Sequence, residues 1–316
     1  MQQRGKPPGY DRPTLPYTYI RHDEEIAPLI DKLSRDRCTR LAIDVEAEHN
    51  LHRYGIHVCL IQLFDGRQAY LVDVLALKRP SCLRPLLEKA PWTLVWFNAA
   101  SDLLSIEHDL GLKPSPILDL DIAARLLGRQ GGLAALTDRP ESPSAKERLQ
   151  RANWMRRPLP PVMLEYAIAD VLDLLPLADK LMDELHTQGL MDVFIEKNRA
   201  VEEAKRSWDP FANYTRIPGF KGLPRSGKRL ARLLWYAREL YAKNRNIPSV
   251  LVASKEHLRR LVDKGWHSGR EIAAFLNKNR KRYHIDPDRF QACLREAEAM
   301  PEPPPPPRRY PRRVQE

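Results

Sequence analysis

Apolar residues at Ile26, Leu29, Ile30 and Leu33 recur at the spacing of one helix face and predict a first amphipathic helix. The pattern then changes. LAIDVEAE (41–48) reads as a buried strand. HVCLIQLF (57–64) and QAYLVDVL (68–75) are β-rich runs separated by the turn pair Asp65-Gly66, which predicts a hairpin. TLVWFNA (93–99) is a further strand and runs into the helical pattern SDLLSIEHDLGL (101–112), which should end near Gly111. ILDLDIAARLLG (117–128) and PPVMLEYAIADVLDLLPLADKLMDEL (160–185) predict helices. Strands that come first as a meander, then alternate with helices, predict an α/β domain over residues 21–206: a mixed sheet flanked by helices.

The remaining chain divides by composition. Residues 1–20 form a Pro-rich N-terminal arm, expected to be extended. Residues 207–225 carry three prolines among turn-forming neighbours and read as a linker. In 226–300, Leu230, Leu233, Leu234, Ala237 and Leu240 recur at helical spacing, as do Leu258, Leu261 and Val262, which predicts a small all-α domain. The tail 301–316, PEPPPPPRRYPRRVQE, has no core-forming pattern and reads as disordered.

Charge sharpens this division. The net charge is +11 over 316 residues. Residues 1–204 hold 26 basic and 30 acidic residues, whereas 205–316 hold 26 basic and 11 acidic. A positive field confined to the second part points to a polyanionic partner, most simply nucleic acid. A basic, solvated helical surface is the plainer alternative. Four cysteines (Cys38, Cys59, Cys82, Cys293) match neither a zinc spacing nor a disulfide framework. No apolar run approaches the ~20 residues of a membrane helix, and the first residues lack a signal-peptide pattern. The expectation is a soluble, cytoplasmic protein with no membrane partner.

The candidate chemistry is acidic. Side chains alternate along a strand, so Asp44 and Glu46 share one face while Ile43 and Val45 point into the core. Two neighbouring carboxylates repel and stay ionised most easily around a divalent cation. Taken alone, the pair reads more simply as two exposed acids at a strand end. Asp102 stands in the first turn of the predicted helix after TLVWFNA, where it would either favour the helix dipole or complete a metal site. Tyr166 and Asp170 are four apart and share one helix face, next to apolar Ala167, Val171 and Leu174. Their plainer readings are a core tyrosine and a solvated aspartate. Converging, the four carboxylates would suit two divalent cations, Mg²⁺ or Mn²⁺ rather than zinc, and in-line displacement at phosphorus. No Ser-His-Asp arrangement and no Walker-type phosphate loop is evident.

These motifs resemble the ribonuclease D family, DEDD 3′–5′ exonucleases of the tyrosine subclass. Asp44 and Glu46 match its first motif, and CLIQLFDG (59–66) matches the strand that follows. Asp102 in NAASDLL matches the second motif, and Tyr166 and Asp170 the third. LQRANWMRRPLP (149–160) is similar to the segment that precedes the third motif. ARLLWYARELYAKNRNIP (231–248) and KEHLRRLV (255–262) resemble the helicase-and-RNase-D C-terminal (HRDC) domain. Departures are Phe97 where the family often has His, Asn153 where it has Asp, and the segment 137–148.

The resemblance implies a ribonuclease H-like mixed sheet followed by an HRDC-like nucleic-acid-binding domain. It implies metal ligation by Asp44, Glu46, Asp102 and Asp170, with Asp44 shared by both cations, and Tyr166 as the group that orients the attacking water. The implied activity is metal-dependent 3′–5′ exoribonuclease action, releasing nucleoside 5′-monophosphates from tRNA precursors or other small structured RNAs. A DNA-preferring exonuclease and a catalytically inactive RNA-binding protein are the alternatives.

Overall fold

The computed structural model describes residues 16–88, 90–137, 143–266, 268–278 and 283–301. Most of the arm, residues 138–142 of the 137–148 segment and nearly all of the tail lie outside these residues. Contacts divide the chain into two units. Among the described residues, the first comprises 16–49 and 56–207, and the second comprises 50–55 and 208–301.

The first unit is built on six strands: β1 (Tyr17–Ile20), β2 (Arg40–His49), β3 (Ile56–Phe64), β4 (Ala69–Val72), β5 (Thr93–Trp96) and β6 (Ile117–Asp119). They lie in the order β1-β4-β3-β2-β5-β6. β2, β3 and β4 form the antiparallel meander that the Asp65-Gly66 turn predicts. β5 and β6 add to it in parallel, and β1 pairs in parallel with β4. The helices of this unit are α1 (Ile26–Arg35), α2 (Arg84–Leu87), α3 (Ala100–Leu110), α4 (Leu120–Leu126), α5 (Leu133–Leu136), α6 (Pro143–Gln150), α7 (Pro161–Leu172), α8 (Leu174–Thr187) and α9 (Met191–Glu202). The mixed α/β class agrees with expectation.

Alternation along β2 sorts its side chains between two cores. Leu41, Ile43 and Val45 join Leu33, Trp92, Leu103 and Ile106 on one face. Ala42 faces the other way, with Leu60, Val95, Ala123, Ala167, Val171 and Leu181. The second core holds α4, α7 and α8 against the face that also carries Asp44 and Glu46.

Two expectations need correction. ILDLDIAARLLG is not one helix: Ile117–Asp119 is strand β6, and helix α4 begins only at Leu120. Asp119 divides them, because its carboxylate accepts the Asp121 N–H and so caps α4. Three strand residues are too few for period two to show. The stretch 207–225, read as a linker, packs on the second unit. Ile217 and Leu223 are buried in the core of the second unit, and the Phe211 ring packs edge-on to Tyr236 at 5.3 Å. Its aromatic residues outweigh its prolines as structural determinants.

The second unit is all-α: α10 (Arg225–Arg245), α11 (Ser249–Val252), α12 (Lys255–Lys264), α13 (Gly269–Asn277) and α14 (Pro287–Ala299). Leu234, Leu258, Leu261, Ile272, Phe290 and Leu294 fill its core. Ser254 caps α12 by accepting the His257 N–H, and Gly265 ends that helix in the left-handed conformation. No helix among the described residues is long and apolar enough to cross a membrane.

Candidate active site

A cavity of about 330 Å³ opens on the α7 side of the sheet, lined by Asp44, Glu46, Asp102, Lys146, Tyr166 and Asp170 among others. Every acidic residue singled out in the sequence therefore faces one space. A larger cleft, about 680 Å³, lies in the helical unit between Leu230, Leu233, Leu294 and their neighbours, and brings no comparable set of reactive groups together.

Each side chain reaches the cavity for a local reason. Asp44 and Glu46 come from β2, and the β2–β3 register shifts between Glu46 and Ala47. That irregularity follows the second carboxylate directly, as bulges that re-aim side chains beside sites commonly do. Tyr166 and Asp170 project from one face of α7, one turn apart. Pro161 starts that helix, where its missing N–H costs nothing. Asp102 occupies the first turn of α3, just after Asn98, whose φ of 63° turns the chain from β5 into the helix.

The ligand oxygens of Asp44, Glu46 and Asp170 lie within 4.8 Å of one another. Asp102 faces the same cavity from outside this closest trio. Glu46 and Asp170 are buried, while Asp44 and Asp102 keep some surface on the cavity side. Burial, and then the Asp170 carboxylate, push Asp44 up to about 7. Burial and the neighbouring acids raise Glu46 well above the usual carboxylate range. Asp102 is raised well above that range by burial, then by Asp44 and Asp119. Carboxylates so crowded are poor anions alone and good ligands for a hard cation, whose charge offsets both the burial and the repulsion. An all-oxygen set of this kind fits Mg²⁺ or Mn²⁺.

The Tyr166 hydroxyl hydrogen-bonds Asp170, and burial with three nearby carboxylates moves its pKa far upward. It is therefore a neutral hydrogen-bonding group at any physiological pH. Its ring lies 6.2 Å from that of Trp154, which is itself buried and donates to the Leu149 carbonyl at 3.0 Å. The segment 149–160 thus supports the tyrosine from behind.

Lys146 was not singled out in the sequence. It comes from α6 and brings a positive charge to the cavity, where it draws the Asp44 pKa down. A lysine in a polar, charged stretch carries no periodic signal that marks it. His49 and His57, close to the first motif, do not line this cavity. The His49 ring lies 3.4 Å from Ser105 Oγ, and His57 Nδ1 lies 3.7 Å from Asp109.

The raised carboxylates make a prediction for the cation-free protein. A folded-state pKa near 7, against an ordinary value of 3.8, means that the folded chain binds more protons than the unfolded chain between these values. Stability should fall as pH rises through that window. The cation-free protein is expected to melt several degrees lower at pH 7.5 than at pH 5.5. Added Mn²⁺ should restore it at pH 7.5, and Asp44→Asn should flatten the slope. Equal melting temperatures at both pH values would contradict the electrostatics described.

The chain is similar to several known proteins. Residues 17–186 match the family pattern of 3′–5′ exonucleases. Ribonuclease D of Zymomonas mobilis is 32% identical over 262 residues, covering 77% of this chain and 63% of that protein. Ribonuclease D of Escherichia coli is 29% identical, covering 59% of this chain and 49% of that protein. The chain thus spans about half to two thirds of the length of these relatives. In fold it resembles the crystal structure of E. coli RNase D, described as an exoribonuclease involved in structured RNA processing. There the TM-score is 0.71 at 24% identity, covering 91% of this chain and 76% of that one. It also resembles the catalytic core of RRP6 from Trypanosoma brucei, with a TM-score of 0.73 at 24% identity, covering 91% and 81%. The matched stretch holds the six described strands and all five singled-out residues, and the chain belongs to the 3′–5′ exonuclease family.

Proposed function

We propose that the chain is a divalent-cation-dependent 3′–5′ exoribonuclease that releases nucleoside 5′-monophosphates from the 3′ end of RNA. The observation that carries this reading is the gathering of Asp44, Glu46, Asp102 and Asp170 around one cavity, with ligand oxygens of Asp44, Glu46 and Asp170 within 4.8 Å of one another. Asp44, Glu46 and Asp170 would hold one cation, and Asp102 would help hold a second shared with Asp44. When bound, such a pair lowers the pKa of water and neutralises charge on the departing 3′ oxygen. The protein's own part is placement. Tyr166, held by Asp170 and backed by Trp154, orients the attacking water by hydrogen bonding and is too weak an acid to serve as a base.

Nucleic acid is the proposed partner because the basic excess sits in residues 205–316, and RNA because the relatives are named ribonuclease D. In this reading the HRDC-like second unit grips the nucleic acid electrostatically, and its affinity falls with salt. The proposed substrates are tRNA precursors and other small structured RNAs, in the cytoplasm.

The test is incubation with 3′-labelled RNA and Mg²⁺ or Mn²⁺. Labelled mononucleotide should appear only with the cation and vanish with a chelator. A folded protein that releases none would reject the reading, and faster loss of a matched DNA would redirect it to DNA. Tyr166→Phe is expected to slow release by roughly tenfold to a hundredfold, the worth of one hydrogen bond to a charged group, with Mn²⁺ uptake unchanged. Full rate in that variant would remove Tyr166 from the chemistry.

A further inference from the structure

Asp119 stands at the end of β6 and is buried. Both of its carboxylate oxygens accept backbone N–H groups. Oδ1 accepts from Asn98 at 2.8 Å and from Asp121 at 3.0 Å, and Oδ2 accepts from Ala99 at 3.0 Å. Two of these bonds clamp the turn between β5 and α3, in which Asn98 takes a left-handed φ of 63°. Asp102 follows three residues after Ala99, in the first turn of α3. The angle at which α3 leaves this turn sets where the Asp102 carboxylate lies in the cavity.

The clamp is itself braced. β6 ends the strand order, so among the described residues its outer backbone groups have no neighbouring strand. Helix α9 supplies side chains in its place. Asn198 Oδ1 accepts from the Asp119 N–H at 2.8 Å, and Asn198 Nδ2 donates to the Ile117 carbonyl at 2.8 Å. One turn further along α9, Glu202 accepts from the Ile117 N–H and from the Ser115 hydroxyl. A continuous set of hydrogen bonds therefore runs from α9 through β6 and Asp119 to the turn that precedes α3. Capping α4 accounts for the Asp121 bond alone and leaves the other two unexplained.

We propose that Asp119, braced by Asn198, is a positioning residue that places Asp102 and thereby sets the affinity for the second divalent cation. This rests on the two-cation reading above. Both Asp119 oxygens must accept, so an amide at this position would turn a donor toward a donor at one contact. Asp119→Asn keeps the shape and the Oδ1 bonds, and loses the bond to Ala99.

The test uses the full chain and Mn²⁺. Free Mn²⁺ is followed by electron paramagnetic resonance during titration, and mononucleotide release is measured against Mn²⁺ concentration. In Asp119→Asn the first uptake should match wild type, while the second weakens at least tenfold. The Mn²⁺ midpoint for release should rise by the same factor, and saturating Mn²⁺ should restore most of the rate. A merely structural role would lower the folded fraction and the melting temperature without moving either midpoint. Unmoved midpoints in the folded variant would overturn the proposal. Should Asp119→Asn fail to fold, Asn198→Ala decides, with a threefold or larger shift expected in the same direction and no shift overturning it. Wild-type protein that takes up no Mn²⁺ would overturn the two-cation reading itself, a result distinguishable from unmoved midpoints.

Discussion

Asp44→Asn is expected to lower mononucleotide release by at least about a thousandfold, which corresponds to ~4 kcal/mol of lost transition-state stabilisation. Asp44 stands at the centre of the acidic set: it faces Glu46 and Asp102 electrostatically, and its oxygens lie within 4.8 Å of those of Glu46 and Asp170. An amide there keeps the shape and removes the charge that a ligand shared by the two proposed cations would supply. The fold should not suffer. Without cations the cluster is strained by burial and repulsion, so removing one charge should leave the melting temperature at pH 7.5 equal or raise it. Rate and melting curve together check this. A rate within tenfold of wild type, or a collapsed melting transition, would contradict the role given to Asp44.

Arg157→Ala should produce the largest loss of stability. Arg157 Nε donates to Asp73 Oδ2 at 2.6 Å, and Nη2 donates to the other Asp73 oxygen and to the Cys59 carbonyl at 2.8 Å. Nη1 donates to the Trp154 carbonyl at 2.7 Å and the Arg156 carbonyl at 2.8 Å. Asp73 is buried and also accepts from the Tyr19 hydroxyl at 2.7 Å. One guanidinium thus ties β1, β3 and the residue after β4 to the segment that enters α7. Alanine would leave Asp73 buried without its cation, at a cost of about 3 kcal/mol. In a unit of this size that is roughly 6–12 °C of melting temperature. Lysine should recover little, because a single ammonium cannot reproduce the forked geometry. Thermal and urea denaturation read the effect, and a shift below about 2 °C would show that the network is dispensable. Activity should fall too, because the same segment backs Tyr166 through Trp154.

Much of the site was legible because its residues obey short periods. Period two along LAIDVEAE put Asp44 and Glu46 on one face, and the i, i+4 spacing put Tyr166 beside Asp170. The meander was legible because Asp65-Gly66 separates two β-rich runs. What escaped depends on contacts distant in sequence. The three residues of β6 form a strand because β5 offers a parallel partner, a fact that lies outside ILDLDIAARLLG itself. Asp119 then appears as a helix residue in the sequence, although it caps α4 and clamps the turn at Asn98. β1 emerges from the Pro-rich arm as an edge strand only because β4 is there to pair with it. Lys146 reaches the carboxylates through the placement of α6, which no local pattern reports. The bulge after Glu46 is likewise a property of two strands together.

All the functional statements above rest on the proposal that these four carboxylates hold a pair of hard cations. The count of Mn²⁺ ions bound per chain at pH 7.5, in wild type and in Asp44→Asn, tests it most directly. Two ions per wild-type chain, falling to one or none in Asp44→Asn, is the predicted result. No uptake by the folded wild-type protein, or the same uptake in both, would contradict it.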